Sequence, residues 1–501
     1  MTLPQGWAET TIGECSAAIQ YGLTCTSSPQ GSGYRYIRIT DIQDQRIDWP
    51  NVPYAQVDEA KASESQVAPG DLLFARTGAT VGKSYLVEDV PDRAAFASYL
   101  IRVRTDPDGL LPKFAAWFFR SPGYWEQIYD GAEGTGQPNF NGTKLAALEI
   151  PLPPLAEQGR IVAKLDALSA RLANARDELA RVPPLAQRIR QQALTSALQG
   201  RLTASKSEGW SNLERDQLSD RRRAYLTQRR GSRLRADIPE RIDFLRDERS
   251  DWLDCRLADV ISLRLGFAFK SADFVKTGGT PLLRGANVAP GNVDWTDKAA
   301  LRPGLEETFA AYRLYEGDIV IAMDRPVISS GLKIARLKKT DAGCLLVQRV
   351  ANPQPSQWIL PDFLMAVLCS DLFMQQIADH STGSDLPHIS GNDILTTPCP
   401  LPPLSIQKRI ADHISTTFAR ADRLEAEAAR AVHLLDRLEA AILAKAFRGE
   451  LVPQDPTDEP ASALLARIRH SREEAAKPKL RRQPKLVEKN AVARSHTKAR
   501  A

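Results

Sequence analysis

Two long stretches of this 501-residue chain place apolar residues at alternating steps of four and three. From Ile161 the series is Ile161, Leu165, Leu168, Leu172, Ala175, Leu179, Val182, Ala186, Ile189 and Ala193. From Ile410 it is Ile410, Ile414, Thr417, Ala421, Leu424, Ala428, Ala431, Leu435, Leu438 and Ile442. Both are the a/d stripe of a coiled-coil seam. One such stripe alone would face water, so each helix needs a partner, and the nearest candidate is the other copy. The larger side chains of the two stripes are therefore the expected packing set. Prolines precede each helix, where extended backbone leads into a first turn. Gly200 and Gly449 stand where C-terminal caps belong. Pro183-Pro184 should kink or break the first helix; the second has no such interruption.

The stretches ahead of the helices change period. "RYIRITDI" (35–42), "DLLFAR" (71–76), "SYLVE" (84–88) and "SYLIRVR" (98–104) are runs of β-branched and aromatic residues that predict strands. Their counterparts are "PLLRGANV" (281–288), "DIVIAM" (318–323), "GLKIARL" (331–337) and "LLVQRV" (345–350). A helix is expected after each set, opening at Pro112 and Pro361. The resulting fold class is mixed α/β (α+β), and it occurs twice. "PLPPLAEQGRI" starts at Pro151 and "PLPPLSIQKRI" at Pro400, and one gapless offset relates 112–202 to 361–451. Gly70-Asp71 likewise matches Gly317-Asp318, and Trp7 matches Trp252.

The chain thus parses into six domains. Residues 1–150 and 251–399 are two globular fronts, and 151–202 and 400–452 are their helices. A charged connector, read as a solvated helix, occupies 203–250. The basic tail, 453–501, is expected to be disordered.

Composition narrows the function. The chain carries 66 Lys and Arg against 61 Asp and Glu, a net charge of +5 that is compatible with nucleic acid. Six scattered cysteines make no C-x-x-C pair, which suits reduced thiols in a cytoplasm. No secretory pattern opens the chain, and no apolar run approaches ~18 residues, so a cytoplasmic protein away from membranes is expected. "GATVGKS" (78–84) resembles a phosphate loop but has one residue too few between Gly78 and Gly82-Lys83, and a strand comes after it rather than a helix. It reads as a hairpin turn. The histidines, including His380 and His388, pair with no Cys or His at metal-ligand spacing. No adenosylmethionine or dinucleotide site and no catalytic constellation is visible.

Two units, each a variable front followed by "PLPPL-x-x-Q-x-R-I" and a long helix, resemble the specificity subunit of type I restriction-modification systems. The resemblance covers roughly residues 1–452. It also rests on the loops "GTGQPNFNG" (134–142) and "GSDLPHISG" (383–391) and on the two Gly-Asp pairs. It implies that the fronts are target-recognition domains and that the helices pack as an antiparallel coiled coil. It further implies a bipartite, asymmetric double-stranded DNA site, one half per front. Partners would be two modification and two restriction subunits, which use adenosylmethionine, ATP and Mg2+; this chain would bind no cofactor or metal and catalyse nothing. Reading base edges requires polar loop side chains at a major groove. Candidates are Arg76, Thr77, Lys83, Gln137 and Asn139 in the first front, and Asp324, Arg325, Ser384, Asp385 and His388 in the second. Two rivals are a solitary nuclease or methyltransferase with an unrecognised site, and a coiled-coil scaffold that binds only protein.

Overall fold

A computed structural model describes residues 3–476 except 44, 91–92, 132–138, 202–208, 229–237, 247–248, 250, 329–330 and 381–387. It divides into two units, Met1–Glu178 with Ala431–Ala501, and Leu179–Arg430. Among the described residues the five longest helices are α1 (Leu155–Ala180), α2 (Val182–Leu198), α3 (Asn212–Gln228), α4 (Leu404–Phe447) and α5 (Ala461–Ala476). The break between α1 and α2 falls at Arg181, just ahead of Pro183-Pro184, whereas α4 runs unbroken for 44 residues. Both α1–α2 and α4 cross the division, so each unit takes its front from one repeat and helical segments from both.

In the first unit β1 (Ala8–Thr11), β2 (Ser16–Tyr21), β3 (Leu72–Ala75), β4 (Ser84–Leu86), β5 (Leu100–Thr105) and β6 (Glu149–Leu152) carry the frame. The second has β7 (Leu253–Arg256), β8 (Ile261–Leu265), β9 (Ile319–Ala322), β10 (Ile334–Arg336), β11 (Val350–Pro355) and β12 (Pro398–Leu401). The main sheets are antiparallel, in the orders β2-β5-β3-β4 and β8-β11-β9-β10. β1 pairs with β6, Ala8 opposite Leu152, as β7 pairs with β12, Leu253 opposite Leu401. The inner strands β3 and β9 read as continuous apolar runs because both faces are covered: Leu72–Phe74 and Val320–Ala322 are fully buried. A second four-stranded sheet stands in each front, containing Ala94–Phe96 in one and Leu345–Leu346 in the other.

The proline motif acts as a staple. Gln158 is fully buried; its amide donates to Gly109 O (2.9 Å) and Pro153 O (3.2 Å) and accepts from Leu111 N (2.9 Å). Gln407 repeats this with Trp358 O, Pro402 O and Leu360 N at 2.8–2.9 Å. Each glutamine ties a helix start to the loop ahead of the Pro112 or Pro361 helix.

Within each unit the long helices run antiparallel. In the first, Ile161 and Leu165 share a core with Leu443 and Ala446, while Arg176 further along reaches back to Asp436 and Glu439, both at 2.8 Å. In the second, Leu194 shares a core with Ile406 and Ile410, and Arg190 pairs with Asp422 (2.6 Å) and Glu425 (2.7 Å). Ile161, Leu165, Leu172, Ile410 and Ile414 are buried, and Leu168, Leu179, Val182, Leu435 and Ile442 are half-buried. Three expected packing residues are not in the seam: Ile189, Leu424 and Leu438 are 41–48% exposed. Ala186, Ala193, Ala421 and Ala428 of the same two stripes are buried there instead, so along the middle of each helix one column of the stripe turns inward and the other outward.

The connector and tail depart from expectation. Helix α3 buries Leu218 and Leu226, and its Arg222 is 3% exposed on Asp259, with Nη2 2.5 Å from Oδ2. Helix α5 buries Ala461, Leu464, Leu465 and Ile468, and Arg472 donates to Ser16 O (2.7 Å). The connector is therefore docked in part, and the tail is ordered through Ala476; 477–501 lie outside the described residues. Asn212 and Ala461, where these helices start, are again 249 apart.

Candidate nucleic-acid interface

The end of each main sheet gathers three segments. In the first unit Phe140 N donates to Arg76 O (2.9 Å), and Thr77 bridges Asn139 in antiparallel fashion. In the second Ile389 N donates to Met323 O (2.9 Å), and Asp324 bridges His388. The loop after the central strand is thus tied to the glycine-rich loop through the same main-chain bonds, with different side chains at matching places.

In the first unit Arg76, Thr77 and Asn139 come together. The Arg76 guanidinium lies 4.8 Å above the Tyr21 ring, and the Tyr21 hydroxyl accepts from Gly142 N (2.7 Å). Lys83 is exposed beside them in the β3–β4 hairpin, where its carbonyl accepts from Ala75 N. That hairpin is the whole of "GATVGKS": a short 3-10 turn at Gly78–Thr80, then β4, with no helix to face a phosphate.

In the second unit Asp324 and His388 come together with Arg325 next in the chain. His388 Nδ1 lies 2.7 Å from Asp324 Oδ1, and Arg349 Nη1 donates to the same oxygen at 2.8 Å. Partial burial alone would raise the Asp324 pKa. The hydrogen bonds from Arg349 and His388 outweigh it, so the carboxylate stays ionised below its usual range. Gln137, Ser384 and Asp385 lie outside the described residues. Sequence reasoning missed Tyr21 and Arg349. Tyr21 ends an ordinary strand; Arg349 sits inside "LLVQRV", which reads as one strand but turns between two sheets.

Among the described residues no group of three or more His, Cys, Asp or Glu side chains could hold a metal ion. The described cysteines are free, and burial pushes Cys369 up to about 11 and Cys344 to about 12, which leaves little thiolate. No described helix is long and apolar enough to cross a membrane.

The comparisons point one way. The type I restriction modification DNA specificity domain matches twice, over residues 4–182 and 249–432. The specificity subunit of the type I restriction enzyme EcoKI, from Escherichia coli K12, is 26% identical over 94% of this chain and 96% of its own length. That of EcoAI, from Escherichia coli, is 37% identical over 35% of this chain and 29% of its own. Among solved structures, one from work on complex assembly and conformational transition of the type I R-M system aligns with a TM-score of 0.60 and 21% identity. It covers 90% of this chain and all of the other. The HsdS subunit from Thermoanaerobacter tengcongensis aligns at 0.54 and 22%, over 90% of this chain and 99% of its own; these two likenesses speak to the fold. With both repeats matched by the specificity-domain model, the chain belongs to the type I restriction-modification DNA specificity family.

Proposed function

We propose that this chain reads a bipartite, asymmetric double-stranded DNA site, each unit reading one half, and scaffolds the modification and restriction subunits of a type I complex. One observation carries the reading: two sheet ends share a main-chain frame but present Arg76, Thr77 and Asn139 in one unit and Asp324, Arg325 and His388 in the other. Identical frames with different polar edges suit two different half-sites, since base edges in a major groove ~12 Å wide are told apart by donor and acceptor pattern. Lys83 and other exposed cations would contact phosphate, which sets register without carrying sequence.

The antiparallel helices act as spacer between the readers. Apolar side chains left exposed along them, Leu185 and Ile189 in one unit and Leu434 and Leu438 in the other, suit docking of helices from two modification subunits, with two restriction subunits joining the assembly. Adenosylmethionine, ATP and Mg2+ belong to those partners, and this chain performs no chemistry of its own.

The test is to co-express the chain with the modification subunit of its system in a host free of DNA methylation and sequence the methylome. One motif with two specified halves and an unspecified gap is expected. Methylation or cleavage by the rigorously purified single chain would contradict the reading.

A further inference from the structure

We propose that Arg349 is the principal base-reading residue of the second unit, that it requires a guanine in its half-site, and that Asp324 positions it. The proposal rests on the DNA-reading function above and names the residue that performs it.

The turn that presents Arg349 is fixed from all sides. Val350 N donates to Val347 O, Gln348 N to Phe267 O, Val347 N to Leu283 O, Met323 N to Arg349 O and Gly266 N to Val350 O. These five main-chain bonds pin the corner where the chain leaves the strand Leu345–Leu346 of one sheet for β11 of the other. Gly266 is required there: a Cβ on it would lie 2.0 Å from Val347 O. The first unit builds the same corner with the same five bonds, from Leu100, Ser98, Ala97, Arg76 and Gly22 to Ala97 O, Leu23 O, Ile37 O, Tyr99 O and Leu100 O. A Cβ on Gly22 would lie 2.3 Å from Ala97 O. The hydrogen-bond frame is constant, and the residue it presents is Tyr99, 62% exposed and not left-handed, in one unit and the left-handed Arg349 in the other. Constancy of frame with change of side chain is what a reading position requires.

Backbone conformation singles out the arginine. Among the described residues only Gln45, Arg325 and Arg349 combine a side chain with positive φ, and Arg325 (45°) and Arg349 (64°) flank one carboxylate. Arg325 stands where the first unit has Gly78, at φ 73°. A left-handed arginine is held against its preference, as happens where a side chain is aimed for use. Asp324 Oδ1 takes Nη1 of Arg349, His388 secures the same oxygen, and the Arg349 side chain remains 59% exposed. A guanidinium held at one nitrogen keeps a planar edge of N–H donors, the fork that matches O6 and N7 of guanine. Asp324 thus acts through Arg349, as a positioning residue.

The experiment compares methylomes of the complex assembled with wild-type chain, Arg349→Ala, Arg349→Gly, Arg349→Lys and Asp324→Asn. Glycine accepts φ 64°, so Arg349→Gly removes the side chain while relieving the backbone and keeps the test independent of folding. One position of the second half-site should lose its guanine requirement, discrimination falling roughly 5- to 150-fold, with the first half unchanged. Arg349→Lys should lose most of it despite keeping the charge, and Asp324→Asn should weaken the same position. An intact motif in the Ala and Gly variants would overturn the proposal. So would uniformly weaker methylation at every site, which marks a phosphate contact, or a change in the first half. A wild-type complex without any bipartite motif would instead overturn the underlying reading.

Discussion

Replacing Gln407 with alanine removes one acceptor and two donors from a fully buried position and leaves Leu360 N, Trp358 O and Pro402 O without their partner. A net hydrogen bond contributes about 0.5–1.5 kcal/mol, and a buried group left unpaired costs about 1–3 kcal/mol. Three bonds lost together, with some relaxation toward water, predict about 3–5 kcal/mol. For a unit of roughly 250 residues that lowers Tm by about 6–20 °C, at 2–4 °C per kcal/mol. Gln158→Ala should cost a similar amount in the first unit, because Leu111 N, Gly109 O and Pro153 O stand in the same relation to it. Gln407→Glu should do no better, since it keeps the acceptor for Leu360 N but turns a carboxylate toward two carbonyls. Thermal melts give the magnitude and amide exchange gives the place: the Leu360 amide should lose protection in Gln407→Ala only, and Leu111 in Gln158→Ala only. Losses below about 1 kcal/mol in both variants, with both amides protected, would refute the staple.

Ile468→Ala, on the buried face of α5, should destabilise the first unit by about 2–5 kcal/mol in a denaturant titration, whereas a disordered tail would show no change. Burial raises the pKa of Glu157, partly opposed by the Trp7 indole at 3.1 Å and by Arg160. The folded chain therefore holds this proton more tightly than the unfolded one, and stability falls as pH rises from the unfolded value near 4.5 through the folded one. Glu157→Gln should match wild type at about pH 4 and melt higher at about pH 7; the reverse order would show that the charge is stabilising. Because each unit pairs helical segments from both repeats, the proposed spacer role is tested by inserting four residues after Glu178 and four after Arg430 together. The paired insertion adds ~6 Å and should widen the unread gap by one or two base pairs of ~3.4 Å rise; a single insertion should cost stability instead, and methylomes with melts would show either failure.

The duplication was legible because the residues that build the frame are particular. Gln158 and Gln407 each need three backbone partners at fixed spacing, and Gly200 and Gly449 both adopt φ 74° at helix ends. The hairpin at 78–84 could be told from a phosphate loop because strand residues come after it. What escaped was set by tertiary context. "LLVQRV" is one apolar run, yet its first residues pair in one sheet and its last in another, so Arg349 sits in a corner no periodicity marks. Helix α3 reads as solvated charge and α5 as disordered tail, but Arg222 is matched by the buried Asp259 and Leu464, Leu465 and Ile468 are buried, contacts invisible along the chain. Ile189, Leu424 and Leu438 keep the heptad spacing and still face out, because along the middle of each helix the other column of the stripe, with Ala186, Ala193, Ala421 and Ala428, is the buried one.

In the proposed function, two frames of one design read two half-sites independently. The most direct measurement exchanges residues 1–150 for the corresponding front of another specificity subunit and sequences the methylome of the assembled complex. The expected motif has one new half, while the other half and the gap stay as in the parent. A change in both halves, or retention of the parental motif, would contradict it.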